Sequence, residues 1–475
     1  MKYEAVIGLE VHAELSTKSK IYCSCPAKFG AGINRNTCPV CTGMPGALPV
    51  LNRQVVHYAA KMGLATGCTI NQVCKADRKN YFYPDLPKAY QISQFDVPLC
   101  ENGEVYFYVD GEKKCCRLER IHFEEDAGKL LHEEIDGTVV DFNRCGVPLI
   151  EMVTRPDLRS SAEAKEFLET IKTTLSYLDI CDCKMEEGSI RCDINVSIRP
   201  WGSTELGTRV EMKNVNTFSG AVRAIDYEIK RQIDLVEAGG TVQQETRRWD
   251  DVKMKNTVMR TKEDAQDYRY FPEPDILTVV IPESKVEEIR AGLPELPTDK
   301  LHRYIDELKI NPATAKLLYK YKRVCDFAEK AFSLGAGVKN TVNLIVGTLY
   351  SKLETEEDKE KFALPVTAEE MANLVKLVDG GKINITLAQK TLSRMAEEGK
   401  PVSAYIKSED LQGVDDGELT EICKKAVEAN PNAVADFKGG KEKAIFALYG
   451  FIKKATQGKA DIKKADEILR KLISD

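Results

Sequence analysis

Between Ile7 and Leu15 the chain alternates between apolar positions and the polar or glycine positions opposite them. Ile7, Leu9, Val11, Ala13 and Leu15 fall on one parity, and Gly8, Glu10, His12 and Glu14 on the other. Successive side chains of a strand point to opposite faces, so this spacing predicts a strand that packs on one side and presents chemistry on the other. The alternation recurs in SIRCDINVSIR, where Cys192, Ile194, Val196 and Ile198 oppose Arg191, Asp193, Asn195, Ser197 and Arg199. In TRVEMKNVN, Val210 and Met212 oppose Arg209, Glu211 and Lys213; in RIHFEED, Ile121 and Phe123 oppose Arg120, His122, Glu124 and Asp126. An antiparallel sheet with one wet face produces such a pattern by itself. These faces differ in carrying carboxylates, histidine and arginine. Glu151 is the sharper signal: in GVPLIEMV it interrupts a run that is apolar at both parities, and a buried carboxylate is costly unless paired or bound to a cation.

Up to about Pro282 the pattern mixes strands and helices, with turns expected at Gly30 to Gly32, Gly43 to Gly46, Asn102-Gly103 and Asp110-Gly111. The stretch AGLPELPTDK, with Pro294 and Pro297, reads as a linker, and beyond it the apolar residues recur at helical spacing. Ala372, Val375, Leu377 and Val378 follow a capping box expected from Thr367 and Glu370. A break around GKPVSAYIKSED separates a last bundle of three or four short helices. The expected domains are residues 1–293, 294–405 and 406–475, giving an α+β fold with an antiparallel sheet followed by two helical parts.

A chain of 475 residues exceeds one compact core, which agrees with that division. With 43% hydrophobic and 30% charged residues and a mean hydropathy of −0.33, it reads as globular, and no apolar run approaches membrane-spanning length. The start shows no basic leader followed by an apolar stretch, so a cytoplasmic location is expected. The net charge of −6 gives no global nucleic-acid signal. Between Lys438 and Lys471, however, ten basic residues stand against four acids, opposite in sign to the whole. Such a tail is either a solvated face or a phosphate-tracking surface.

Glu10, His12, Glu124 or Glu125, Glu151 and Glu211 together suit Mg2+ with bound phosphates, because hard cations prefer oxygen ligands. Arg and Lys on the same faces, Arg191, Arg209 and Lys213 beside Asn195, suit the phosphoryl groups of a nucleotide. No Walker-type loop and no G-x-S-x-G elbow occurs, so ATP chemistry would run from an open sheet face.

Fifteen cysteines, an odd and scattered count, argue for reduced thiols with room for one metal site rather than a disulfide framework. Cys23 and Cys25 are followed by Cys38 and Cys41, and two close pairs across a loop can close a structural Zn2+ site of four thiolates. Cys115, Cys116, Cys181 and Cys183 read as packing residues.

The segments IGLEVHAEL, CPVCTGMPGALPVLN, RKNYFYPDLPKAYQISQ, HFEEDAGK, DFNRCGVPLIEMVTRPD, RVEMKNVNTF and YRYFPEPD resemble the GatB family, the B subunits of bacterial glutamyl/aspartyl-tRNA amidotransferases. The resemblance covers nearly the whole chain. It implies a cradle-like first domain similar to the glutamine synthetase catalytic fold, a helical domain, and a small helical tail that touches tRNA. It implies ATP-dependent phosphorylation of the side-chain carboxylate on misacylated Glu-tRNA(Gln) or Asp-tRNA(Asn), then amidation by channelled ammonia. The implied partners are the amidase, or A, subunit, the small C subunit and the tRNA, in a heterotrimeric enzyme. Carried onto this sequence, Glu10, His12, Glu124, Glu151 and Glu211 become Mg2+ and ATP candidates, while Glu125, on the opposite parity, could line the ammonia path. Lys79 and Lys88, in RKNYFYPDLPK, become candidates for the phosphates or the channel entrance. The zinc cysteines are not universal in the family, yet all four are present. A competing reading from the residues alone is a noncatalytic zinc-containing RNA-binding protein with an acidic face that merely solvates.

Overall fold

The computed structural model describes residues 2–132, 137–185, 187–261, 267–407, 416–456, 460 and 462–474. The chain forms two compact units, residues 1–299 and 300–475. Among the described residues every strand lies in the first, and the second is helical.

The strands are β1 (Tyr3–Glu14), β2 (Thr69–Ile70), β3 (Val73–Cys74), β4 (Asp77–Asn80), β5 (Tyr90–Ser93), β6 (Cys100–Val109), β7 (Glu112–Glu125) and β8 (Lys129–Leu131). They continue as β9 (Val139–Asp141), β10 (Pro148–Thr154), β11 (Ile190–Pro200), β12 (Val210–Val215), β13 (Glu245–Asp250), β14 (Lys255–Thr261), β15 (Phe271–Pro272) and β16 (Val279–Val280). Nine of them make one sheet in the order β14-β13-β12-β11-β1-β10-β7-β6-β2. β1 is therefore central, flanked by β10 and β11, both antiparallel to it. One pair departs from the expected all-antiparallel arrangement. β12 and β13 run parallel, because the chain between them crosses over through a helix rather than a hairpin.

Three helices cover the apolar face: α1 (Arg53–Ala65), α2 (Ser161–Tyr177) and α3 (Phe218–Glu237). Each begins at a side-chain cap, where Asn52, Ser160 and Thr217 accept hydrogen bonds from the N–H groups of Gln54, Glu163 and Gly220. Ile7, Leu9, Val11 and Ala13 of β1 are buried with Ile194 and Val196 of β11, Phe123 of β7 and Phe167 of α2 in one core. The parity assigned to packing is the parity that packs. With that face closed by helices, the opposite parity of the same strands is left for the site.

Two turn assignments separate here. Asp110 and Gly111 have φ of 50° and 87° and close the β6–β7 hairpin, the backbone twist that tight hairpins favour. Asn102-Gly103 is no turn, because both residues lie inside β6. Asn102 takes φ 57°, and Gly103 packs so closely that a Cβ would come within 2.4 Å of Cys68 Sγ. Of the stretch read as a linker, residues 293–296 are irregular, but Pro297 opens the helix Pro297–Asp306, the position where proline's missing N–H costs nothing.

In the second unit Thr367 caps the helix Ala368–Asp379 by accepting from Glu370 N. The reciprocal bond expected of Glu370 goes elsewhere: its Oε2 accepts from Val402 N at 2.7 Å. Four helices, Asp416–Ala429, Pro431–Lys438, Ile445–Ala455 and Ile462–Ser474, close around Leu419, Cys423, Leu448, Ile452 and Leu469. The chain break expected near residue 406 and Lys459 of the basic tail run into residues outside the described set.

Candidate functional site

The wet face of the large sheet is assembled by register. Across β1 and β11, Gly8 pairs with Asn195, Glu10 with Asp193 and His12 with Arg191. On the other flank His12 pairs with Glu151, and Glu151 in turn with His122 of β7. β12 adds Glu211 opposite Asn195. Because these strands are neighbours, segments far apart in sequence deliver their polar parity to one cavity of about 390 Å³.

The carboxylates fall into two groups rather than the single site expected. His12, Glu124 and Glu151 form one, and Glu10, Asp193 and Glu211 the other, each able to bring three ligand atoms within 4.8 Å of one another. In the first, His12 Nε2 lies 3.4 Å from Glu124 Oε1 and 3.5 Å from Glu151 Oε2, while His122 Nε2 lies 3.2 Å from the same Glu151 oxygen. Burial disfavours the His12 imidazolium, but the charges of Glu151, Glu124 and Asp193 outweigh it and hold its pKa up at about 9. Glu151 is nearly inaccessible, and although burial opposes its charge, His122 and His12 keep its carboxyl well below the usual range. In the second group burial, then Glu151 and Asp193, push the Glu10 carboxyl up, against a 3.0 Å hydrogen bond from Asn195 Nδ2. Three acids so close repel one another, and Lys213, bonded to Asp193 and 3.1 Å from Glu211, offsets only part of that charge. A hard divalent cation would offset the rest. The all-oxygen set fits Mg2+, and the histidine-bearing set accepts it as well.

Lys79, Asn195, Arg209 and Lys213 line the cavity. The Lys79 ammonium sits 4.9 Å from the ring centre of Tyr268, and Glu124 and Glu151 hold it charged although burial works against this. Arg191, Lys88, Glu125 and the buried Glu124, which reaches His12 from behind, do not line it. Arg191 is 2.7 Å from Asp126, which also draws Arg144 to 3.5 Å, so its guanidinium is already matched. Lys88 lies 2.6 Å from Glu125 Oε2, while Glu125 Oε1 accepts from Ile92 N at 2.9 Å. Glu125 is thus on the far side of β7 from Glu124, whose Oε2 accepts from Ser93 Oγ at 3.3 Å.

Asp193 and His122 were visible on the polar parities but not singled out; both line the cavity. Asp193 shares its face with Asn195, and that parity alone could have selected it. Gln94, Thr246, Tyr268 and Tyr270 also line it, and no sequence periodicity marks them. Thr246 donates to Glu211 Oε2 at 2.7 Å, a contact created by the parallel β12–β13 pairing.

The loop between β1 and α1 brings Cys23, Cys25, Cys38 and Cys41 together, with all four sulfurs within 4.8 Å of one another. Tetrahedral Zn–S bonds of about 2.3 Å separate sulfurs by roughly 3.8 Å, so the cluster fits zinc. A hydrogen bond from Cys23 is the main force drawing the Cys41 thiol down to about 4; burial opposes it, and the Cys38 N–H and Lys20 assist. That same bond, with burial, pushes Cys23 up. Cys41 and Cys23 also line a cavity of about 110 Å³ with Lys88 and Glu125. Of the four other cysteines read as packing, Cys116, Cys181 and Cys183 are buried, but Cys115 is exposed, lying on the solvent parity of β7.

Residues 5–287 match the family model described as the GatB/GatE catalytic domain, and residues 326–473 match the model described as the GatB domain. The chain is 50% identical over 475 residues to the B subunit of the aspartyl/glutamyl-tRNA(Asn/Gln) amidotransferase of Thermoanaerobacter pseudethanolicus, covering 100% of both chains. It is 51% identical over 474 residues to the protein so named from Caldicellulosiruptor bescii, covering 99% of each. The protein of the same name from Ruminiclostridium cellulolyticum is 48% identical over 472 residues, 99% of this chain and 97% of its own. With a family model over most of its length and relatives matching end to end, the chain belongs to the GatB family, the B subunits of aspartyl/glutamyl-tRNA(Asn/Gln) amidotransferases.

Proposed function

We propose that the cavity of the first unit is where a tRNA-borne carboxylate is activated by ATP and then amidated. The enzyme is a ligase of translation that forms Gln-tRNA(Gln) and Asn-tRNA(Asn), and this chain is its B subunit. The observation that carries the site assignment is the pair of carboxylate groups, Glu10/Asp193/Glu211 and His12/Glu124/Glu151, side by side on one wet face with Lys79, Arg209 and Lys213. A carboxylate oxygen of the aminoacyl group attacks the γ-phosphorus of ATP, the bond to ADP breaks, and an acyl phosphate results. Ammonia then attacks the carbonyl carbon and inorganic phosphate leaves. Magnesium held by the two groups would supply charge neutralisation for the triphosphate. Lys79, Arg209 and Lys213 orient the phosphoryl oxygens and match the charge that grows on them.

Lys88 and Glu125, on the other side of β7, suit the entry of ammonia, since a matched buried pair can exchange hydrogen bonds with a small polar molecule. The ammonia comes from glutamine hydrolysed by the amidase, or A, subunit, with the small C subunit completing a cytosolic heterotrimer. A cradle similar to glutamine synthetase over residues 1–293, a helical domain over 294–405 and a tRNA-touching tail over 406–475 complete the reading, with zinc on the four cysteines. The noncatalytic alternative leaves no role for two adjacent acid groups that repel one another without a cation. In the reconstituted complex, ATP hydrolysis should depend on misacylated tRNA and match amidated product. Hydrolysis indifferent to that tRNA would overturn the proposal.

A further inference from the structure

Lys20 is fully buried, at 0% exposure, and takes no part in the ATP or ammonia chemistry proposed above. An ammonium taken out of water costs several kcal/mol unless an anion and hydrogen bonds compensate it. Among the described residues Lys20 makes no ion pair with a carboxylate. Its Nζ donates instead to Cys41 Sγ at 3.4 Å and to the Phe142 carbonyl at 3.3 Å. Cys41 Sγ accepts a second bond, from Cys38 N at 3.2 Å. The lysine is held from both ends. Its own N–H donates to Cys25 O at 2.9 Å, and Gly146, with φ 76°, packs beside its chain, where a Cβ would be in ordinary contact with Lys20 Cδ at 3.6 Å and Cys41 Cβ at 3.7 Å. Among the described residues, the charge therefore points at one sulfur of the cluster and has no other anion to serve.

Four thiolates around one divalent zinc carry net negative charge, which is itself costly in a partly buried loop. We infer that Lys20 is the charge-compensating positioning residue of the four-cysteine site: its ammonium neutralises part of the excess thiolate charge and fixes Cys41. This rests on the zinc reading above. A thiolate that accepts N–H bonds from both a backbone amide and an ammonium holds its metal in a fixed geometry and is a poorer target for protons and oxidants. A lysine that merely filled space would be replaceable by any chain of the same reach.

The test uses the full-length chain in its complex. Zinc content of the wild type is measured first, and zinc affinity is then compared by competition with a chromophoric chelator. Lys20→Met, similar in length and uncharged, should weaken zinc binding about 10- to 100-fold, the usual effect of removing a partner of a metal ligand. Lys20→Gln can still donate a hydrogen bond but lacks the charge, and it guards against a folding failure of the methionine variant. It should weaken zinc as well, whereas Lys20→Arg should remain nearer the wild type. In cobalt-substituted protein the thiolate-to-metal charge-transfer band should move to lower energy in the neutral variants, because an unshielded thiolate gives up electron density more readily. Wild-type affinity and an unmoved band in a folded neutral variant overturn the Lys20 inference alone. A wild-type chain that takes up no zinc even on reconstitution overturns the zinc reading and this inference with it.

Discussion

Glu151 shares one carboxylate oxygen between two histidines, His122 at 3.2 Å and His12 at 3.5 Å, one on each neighbouring strand. It is the acid that interrupts an apolar run, and its three-strand position explains why it is tolerated there. Two imidazoles and the polar cavity supply what the core cannot.

Glu151→Gln keeps the shape and removes the charge that both histidines face. ATP hydrolysis dependent on misacylated tRNA should fall about 100-fold or more, the scale for removing one electrostatic partner of a transferring group. Hydrolysis within a few-fold of wild type would take Glu151 out of the activating site.

Glu10→Gln tests the second acid group separately. Neutral amide oxygen is a weaker ligand for a hard cation, so formation of the acyl phosphate should fail while glutaminase activity of the complex persists. Free ammonium should not rescue amide formation, because the missing species is the activated carboxylate. Wild-type rates from ATP and ammonium would return the Glu10 face to plain solvent exposure.

Lys88→Met separates ammonia delivery from activation. With Glu125 left unmatched, glutamine-dependent amidation should drop about 10-fold or more while ammonium-dependent amidation stays close to wild type, as expected where a conduit rather than the reacting centre is altered. Equal losses with both nitrogen sources would show that Lys88 supports the structure around Glu125 rather than ammonia delivery.

Glu228 of α3, at 0% exposure, receives both Arg231 at 2.7 Å and Asn256 at 3.1 Å under the sheet. Glu228→Ala leaves the buried Asn256 and Gln232 amides without this acceptor and the partly exposed Arg231 with Glu245 alone, 3.6 Å away, and should cost about 1–3 kcal/mol, the range for leaving buried polar groups unsatisfied. Thermal unfolding of the chain measures it, and an unchanged midpoint would show that the Glu228 bonds add nothing to stability.

The parity of β1, β7, β11 and β12 was legible because a strand repeats every two residues, and it put Glu10, His12, Glu124 and Glu211 on the face where the structure has them. Glu151 was legible for a different reason, its charge against its surroundings. Neither signal holds strand order, so the division into two acid groups was invisible: it follows from β1 lying between β10 and β11. Arg191 and Arg209 looked alike by parity. What separates them is Asp126, which reaches Arg191 from the end of another strand. Glu370 shows the same limit in the helical unit, where a local pattern was overruled by the distant Val402 N–H.

Among the described strands the central one precedes all the others in the chain. β1 ends at Glu14, but its two neighbours begin only at Pro148 and Ile190, and the residues facing Glu10 and His12 arrive with them. During synthesis at roughly 5–20 residues per second, the strand would wait on the order of ten seconds or more with both edges unpaired. The geometry that unites the two acid groups therefore sets a long exposure for the newborn chain, and the charges of Glu10 and Glu14 on its polar face would discourage edge-to-edge association before β10 and β11 arrive.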